Sequence, residues 1–118
     1  MNYFLKRIHS FACAIDGVLY LFATQAHAWL HLFGSLVVIA LGIYLKVDAN
    51  DWIALIFAMC IVWVCEAFNT AIELTVDLFS PMYHPLAGKA KDVAAGAVLL
   101  ASFFALIVGL IVFSSKYF

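Results

Sequence analysis

The sequence predicts an all-α integral membrane protein, with an N-terminal amphipathic surface helix followed by three transmembrane helices. Three observations carry that prediction. Of 118 residues, 68% are apolar and 11% charged. Soluble domains run at roughly 45–50% apolar and about 25% charged, and a protein this small cannot hide such an excess from water. Apolar runs at 28–45, 52–78 and 93–115 come close to or exceed the roughly 20 residues that a spanning helix needs. Residues 3–24 carry a helical repeat of apolar and polar side chains instead. The length allows one domain, 1–118, by ordinary domain size. Composition excludes disorder. A formal net charge of −1 excludes the basic field that nucleic-acid binding requires.

In residues 3–24, Phe4, Ile8, Phe11, Ile15, Val18, Leu19 and Phe22 recur at spacings of three and four. Lys6, Arg7, His9, Ser10 and Asp16 fall on the other side. Such a helix lies flat on a membrane surface. A rival reading is a signal peptide, with Lys6-Arg7 as its basic start and Ala26-His27-Ala28 as its cleavage site. Asp16 interrupts the apolar region and the polar residues keep helical phase, which favours the surface helix.

The first span, 28–45, holds no Asp, Glu, Lys or Arg, and the short polar loop Lys46–Asp51 can only join it to an antiparallel neighbour. The second span, 52–78, accommodates Glu66, Asn69, Glu73 and Asp77 towards one membrane face. Ser80 to Gly88 contains both prolines and reads as a loop. The third span, 93–115, repeats Ala97, Ala101, Ala105 and Gly109, a seam along which membrane helices pack closely. Lys6, Arg7, Lys89 and Lys91 fall on one side and Lys46 and Lys116 on the other. That bias puts the N-terminus and second loop in the cytoplasm.

The chemistry concentrates on the second span. At about 100° per residue, positions 66, 69, 73 and 77 share an arc of roughly 80°. Three carboxylates and an amide thus form one polar stripe on an apolar helix. Ionisable groups within a bilayer are costly and mark functional cavities; solvated charges at a helix end would account for Asp77 but poorly for the deeper Glu66. Clustered carboxylates suit Mg²⁺, which takes oxygen ligands and commonly shares them with phosphates. Lys89-Ala90-Lys91-Asp92 brings positive charge to the same loop, where it can bind phosphate or simply mark the cytoplasmic side. No glycine-rich nucleotide loop of the soluble kinase or P-loop kind is present in the sequence. His27 and His31 have no acidic or third histidine partner beside them in the sequence and read as interfacial histidines. Cys13, Cys60 and Cys65 read as free, buried thiols. Trp29, Trp52 and Tyr117 mark span ends.

Glu66-x-x-Asn69-x-x-x-Glu73-x-x-x-Asp77, followed by Tyr83-His84-Pro85-Leu86-Ala87-Gly88 and Lys91-Asp92, resembles the bacterial integral-membrane diacylglycerol kinase and undecaprenol kinase family over nearly the whole chain. The stretch from Tyr83 to Leu99 looks closer to the undecaprenol kinase branch. The resemblance implies a homotrimer with active sites shared between subunits, in the bacterial inner membrane. It implies transfer of the γ-phosphate from ATP, with Mg²⁺, to a lipid hydroxyl at the cytoplasmic face. By matching position it makes Glu66 the general base and Glu73 a magnesium ligand, with Asn69 and Asp77 orienting the site. Lys91 and Asp92 would hold the nucleotide, Tyr83 and His84 would lie against it, and Lys6 would approach the phosphates. Family members usually carry Glu where this sequence has Gln25, so the second metal ligand is here a neutral amide. They also often carry Tyr where Cys13 stands. Gln25 raises an alternative: a catalytically impaired member acting as a membrane binding or assembly protein. An ion conductor rests only on the intramembrane carboxylates and leaves Lys91-Asp92 unused.

Overall fold

A computed structural model describes residues 2–117. Among them the polypeptide forms four helices and no strand: α1 Tyr3–Thr24, α2 Ala26–Tyr44, α3 Ala49–Phe79 and α4 Pro85–Tyr117. The last three are long and apolar enough to cross a membrane, and the protein is a multi-pass membrane protein. At about 1.5 Å per residue, α3 and α4 exceed the roughly 30 Å hydrocarbon thickness, so their polar ends reach the interfaces.

Each boundary has a local cause. The Asn2 amide oxygen caps α1 by accepting from Leu5 N–H at 2.9 Å, and the Asp48 carboxylate does the same for α3 from Asp51 N–H at 2.9 Å. One extended residue, Gln25 (φ −113°, ψ 112°), breaks α1 from α2. Lys46 ends α2 in the left-handed region at φ 52°. Its N–H donates to Ile43 C=O at 3.2 Å, and Val47 N–H donates to Gly42 C=O at 3.1 Å, the paired bonds of a left-handed helix stop. The following Val47 is buried against Leu55 and Val112, so the turn also carries the small core at this end of the bundle. Lys116 lies 3.5 Å from Asp48 and 3.4 Å from Asp51, pinning the end of α4 to the same turn.

The loop after α3 is shorter than the prolines suggest. Helix α4 begins at Pro85, because proline lacks only an N–H that the first helical turn leaves unpaired anyway. His84 caps it: Leu86 N–H donates to His84 Nδ1 at 3.1 Å. Residues 85–88, read from sequence as loop, are therefore helical.

Helices α3 and α4 form an antiparallel hairpin, with α2 packed mainly on α3 and α1 on both α2 and α3. Helix α1 is exposed along its length except for Leu21 and Phe22, as a surface helix is. Its end is tied down by aromatic contacts. Phe22 packs edge-on against Trp29 at 5.3 Å and lies tilted by 44° against Trp63 at 5.4 Å, and Trp29 Nε1–H donates to Phe22 C=O at 2.9 Å.

Candidate active site

Most of the polar stripe points into the bundle. Glu66 is 2% exposed and Asn69 8% exposed, while Glu73 is half-buried. Counting about 1.5 Å per residue, Glu66 lies roughly 20 Å from the Phe79 end of α3. Glu66, Asn69 and Glu73 line a cavity of about 360 Å³ together with Gln25, His27 and His31, and Ala95, Val98 and Ser102 of α4 form its far wall. Asn69 Nδ2–H donates to Glu73 Oε1 at 3.3 Å, whereas Asn69 Oδ1 is buried without a hydrogen-bond partner. Thr70 donates its hydroxyl to Glu66 C=O at 3.1 Å and spends its polarity on the helix backbone.

The outer end of the stripe is different. Asp77 is exposed, forms an ion pair with Lys91, and shares a recess of about 290 Å³ with Tyr83, His84 and Lys91. The cavity thus takes Gln25, Glu66, Asn69 and Glu73 of the site residues selected from sequence, and the recess takes Asp77, Tyr83, His84 and Lys91. Asp92 and Lys6 are both exposed and line neither hollow. Lys6 sits near the start of α1, its backbone carbonyl accepting from Ser10 Oγ at 3.0 Å.

The sequence reading missed His31. It expected no acidic neighbour, yet His31 Nε2 lies 3.3 Å from Glu66 Oε2, with 16% and 3% of the two side chains exposed. His27 remains exposed on the surface. The partners are 35 positions apart, so no local spacing could announce the pair. Cys13 and Cys60 are also exposed in the single subunit, and only Cys65 is partly covered. A thiol facing lipid needs no burial by protein.

A third hollow, about 460 Å³, is an apolar groove between α1 and α3. Gly17, Val18 and Leu21 form one wall and Ala67, Ala71 and Leu74 the other.

Fold and site together define a small helical membrane protein with a buried polar cavity and an apolar groove between α1 and α3. A family model described as prokaryotic diacylglycerol kinase matches residues 12–113, and the chain belongs to that family of membrane lipid kinases. It is 46% identical over 101 residues to a diacylglycerol kinase of Synechocystis sp., covering 85% of this chain and 58% of that protein. It is 34% identical over 116 residues to an undecaprenol kinase of Bacillus subtilis, covering 98% of this chain and 92% of that protein. A diacylglycerol kinase of Escherichia coli is 39% identical over 72 residues, 61% of this chain and 59% of that one. The matched segment thus spans little more than half of two of these relatives and nearly all of the third. None of these names supports the alternative of a binding or assembly protein.

Proposed function

We propose that this lipid kinase transfers the γ-phosphate of ATP to the hydroxyl of a membrane lipid alcohol, undecaprenol or diacylglycerol, with Glu66 as general base. One observation carries the reading: a carboxylate 2% exposed in an apolar bundle, opening on a cavity it shares with Asn69, Glu73 and Gln25. An ionisable group is not kept in such a place without a task. Glu66 takes the hydroxyl proton while the lipid oxygen bonds to the γ-phosphorus and the bond to ADP breaks. The groove between α1 and α3 is apolar enough for the lipid tail, with Thr70 common to its wall and to the Glu66 turn.

Magnesium suits the donor set. Glu73 offers a carboxylate, Gln25 an amide oxygen and Asn69 an Oδ1 that is buried and unpartnered. Hard oxygen donors of this kind, completed by phosphate and water, are what Mg²⁺ takes. Among the described residues no group of three or more His, Cys, Asp or Glu forms a cage of its own, which fits an ion arriving with its nucleotide. When bound, it neutralises charge on the phosphates. Lys91, beside Asp77, together with Lys6 and Asp92, holds the nucleotide, with Tyr83 and His84 against it. The active form is a homotrimer in the bacterial inner membrane. Its N-terminus and nucleotide site face the cytoplasm, on the basic-residue bias.

The test is phosphate transfer from labelled ATP to undecaprenol and to diacylglycerol, side by side in mixed micelles with Mg²⁺. Purified protein inactive on every lipid alcohol defeats the proposal. Glu66→Gln should lower kcat by at least about 10²-fold, the scale of a lost general base, while ATP still binds; retained turnover removes Glu66 from that role.

A further inference from the structure

We infer that His31 is a positioning residue for Glu66: in the substrate complex its Nε2–H closes on the carboxylate and holds it in the orientation that receives the lipid proton. The inference rests on Glu66 being the base. Its foundation is the 3.3 Å approach of His31 Nε2 to Glu66 Oε2, the carboxylate side chain being only 3% exposed. A buried carboxylate without a donor is costly. Of the residues lining the cavity, only His27 and His31 carry a side chain that can take positive charge, and His27 is exposed.

The imidazole is itself held. Its ring meets Trp63 edge-on at 6.1 Å with a 68° interplanar angle, and Trp63 Nε1–H donates to Ser35 Oγ at 3.1 Å. His31 and Ser35 are one turn apart on α2; Trp63 and Glu66 are one turn apart on α3. Two polar contacts, 31 to 66 and 35 to 63, therefore follow from the register of these antiparallel helices at the depth of the base. Phe22 of α1 closes on Trp63 from outside. Helix α1 is thereby linked to the residue that aims Glu66.

His31 Nε2 is buried and makes no aligned hydrogen bond. Catalytic hydrogen bonds are often loose before substrate binds and tighten in the complex. A donor that tightens on Glu66 only in the complex acts on turnover and leaves ATP binding alone.

The experiment uses the full-length protein in mixed micelles and compares His31→Leu, which removes the donor at similar volume, with His31→Gln, which keeps an N–H at similar reach. His31→Leu should lower kcat by about 10²-fold, the scale of a 1 Å misplacement, with KM for ATP unchanged. His31→Gln should restore most of kcat. Wild-type kcat in His31→Leu, or equal loss in both variants, overturns the inference. Should His31→Leu fail to assemble, His31→Asn replaces it: its amide is too short to reach Glu66, so kcat must fall at constant KM, and wild-type turnover overturns the role. Glu66→Gln separates the two readings. An inactive Glu66→Gln beside a fully active His31→Leu sinks the positioning role alone, whereas an active Glu66→Gln sinks the base.

Discussion

At Gly42, α2 runs hard against the Trp52 side chain of α3. A Cβ at this position would stand 2.5 Å from Trp52 Cη2, 2.8 Å from Cζ2 and 3.1 Å from Cζ3. Comfortable carbon–carbon contact is about 3.5–4.0 Å, so the gap must open by roughly 1 Å. The indole is rigid and packs against the Val47, Leu55 and Val112 core; it has no flexible end to fold aside. Helix α2 must instead move off α3, and the bond from Val47 N–H to Gly42 C=O strains with it. Overpacking of this kind costs about 1–3 kcal/mol, against a gain of at most about 1 kcal/mol from replacing helical glycine by alanine. A 2.5 Å contact with a rigid ring places the cost in the upper part of that range, about 2–3 kcal/mol, so Gly42→Ala should destabilise the fold by about 1–2 kcal/mol net. The assay is reversible unfolding in mixed micelles, followed by tryptophan fluorescence. Gly34→Ala is the internal control, since a Cβ there meets nothing within 4 Å, and it should be neutral or slightly stabilising. Gly42→Ala as stable as wild type, or both variants equally weakened, refutes the Trp52 clash as the cause.

Two further predictions follow from the charged groups. Gln25→Glu adds a carboxylate to the cavity of Glu66 and Glu73 and sacrifices only a 3.5 Å contact to Thr24; the Mg²⁺ concentration for half-maximal activity should fall by about tenfold, the lower end of what reworking a metal site changes, and an unchanged requirement argues against Gln25 as a ligand. The Asp48 carboxyl is held below its ordinary value, chiefly by the Asp51 N–H and, against partial desolvation, also by the Lys116 charge. A depressed folded-state value stabilises the fold above the ordinary carboxylate range, and that contribution is lost as pH falls through the lower folded-state value. Asp48→Ala should flatten the acid dependence of unfolding in that window, and an identical pH profile in wild type and variant counts against the cap.

How far the fold was legible follows from what sets each element. The three apolar runs and the period of residues 3–24 are local signals, and α1 and the three long helices follow them. Pro85 misled because its two consequences are opposite: it ends a helix that reaches it from the N-terminal side and opens one that starts with it, and only the His84 cap decides. Within the candidate site, the shared face of Glu66, Asn69 and Glu73 is a property of one helix and was readable from spacing. The His31–Glu66 and Ser35–Trp63 rungs depend on the register between two helices. Register is fixed by packing, including the close approach that Gly42 allows, and no periodicity within either segment encodes it.

The stripe on α3 also separates two tasks by depth. Asp77 sits with Lys91 at the loop end, where both are partly solvated and an exposed ion pair adds little stability; such a pair can open for a charged nucleotide at small cost. Glu66 lies eleven residues further along the helix, about 16 Å, where an unpaired charge is expensive and where, on the proposed function, the α1–α3 groove would bring the lipid hydroxyl. Glu73 stands between them, half-buried and bonded to Asn69. A kinase acting on a lipid must bring a water-soluble triphosphate and a membrane-bound alcohol to one point, and a single helix running from interface to bilayer interior supplies that gradient. On the proposed roles, the order along α3 is nucleotide end, metal ligand, base, which is the order the phosphoryl group has to travel. Moving the carboxylate from position 66 one turn outward would leave composition and hydropathy almost unchanged, yet it would part it from His31 and, on the proposed roles, from the depth at which the lipid hydroxyl has to react.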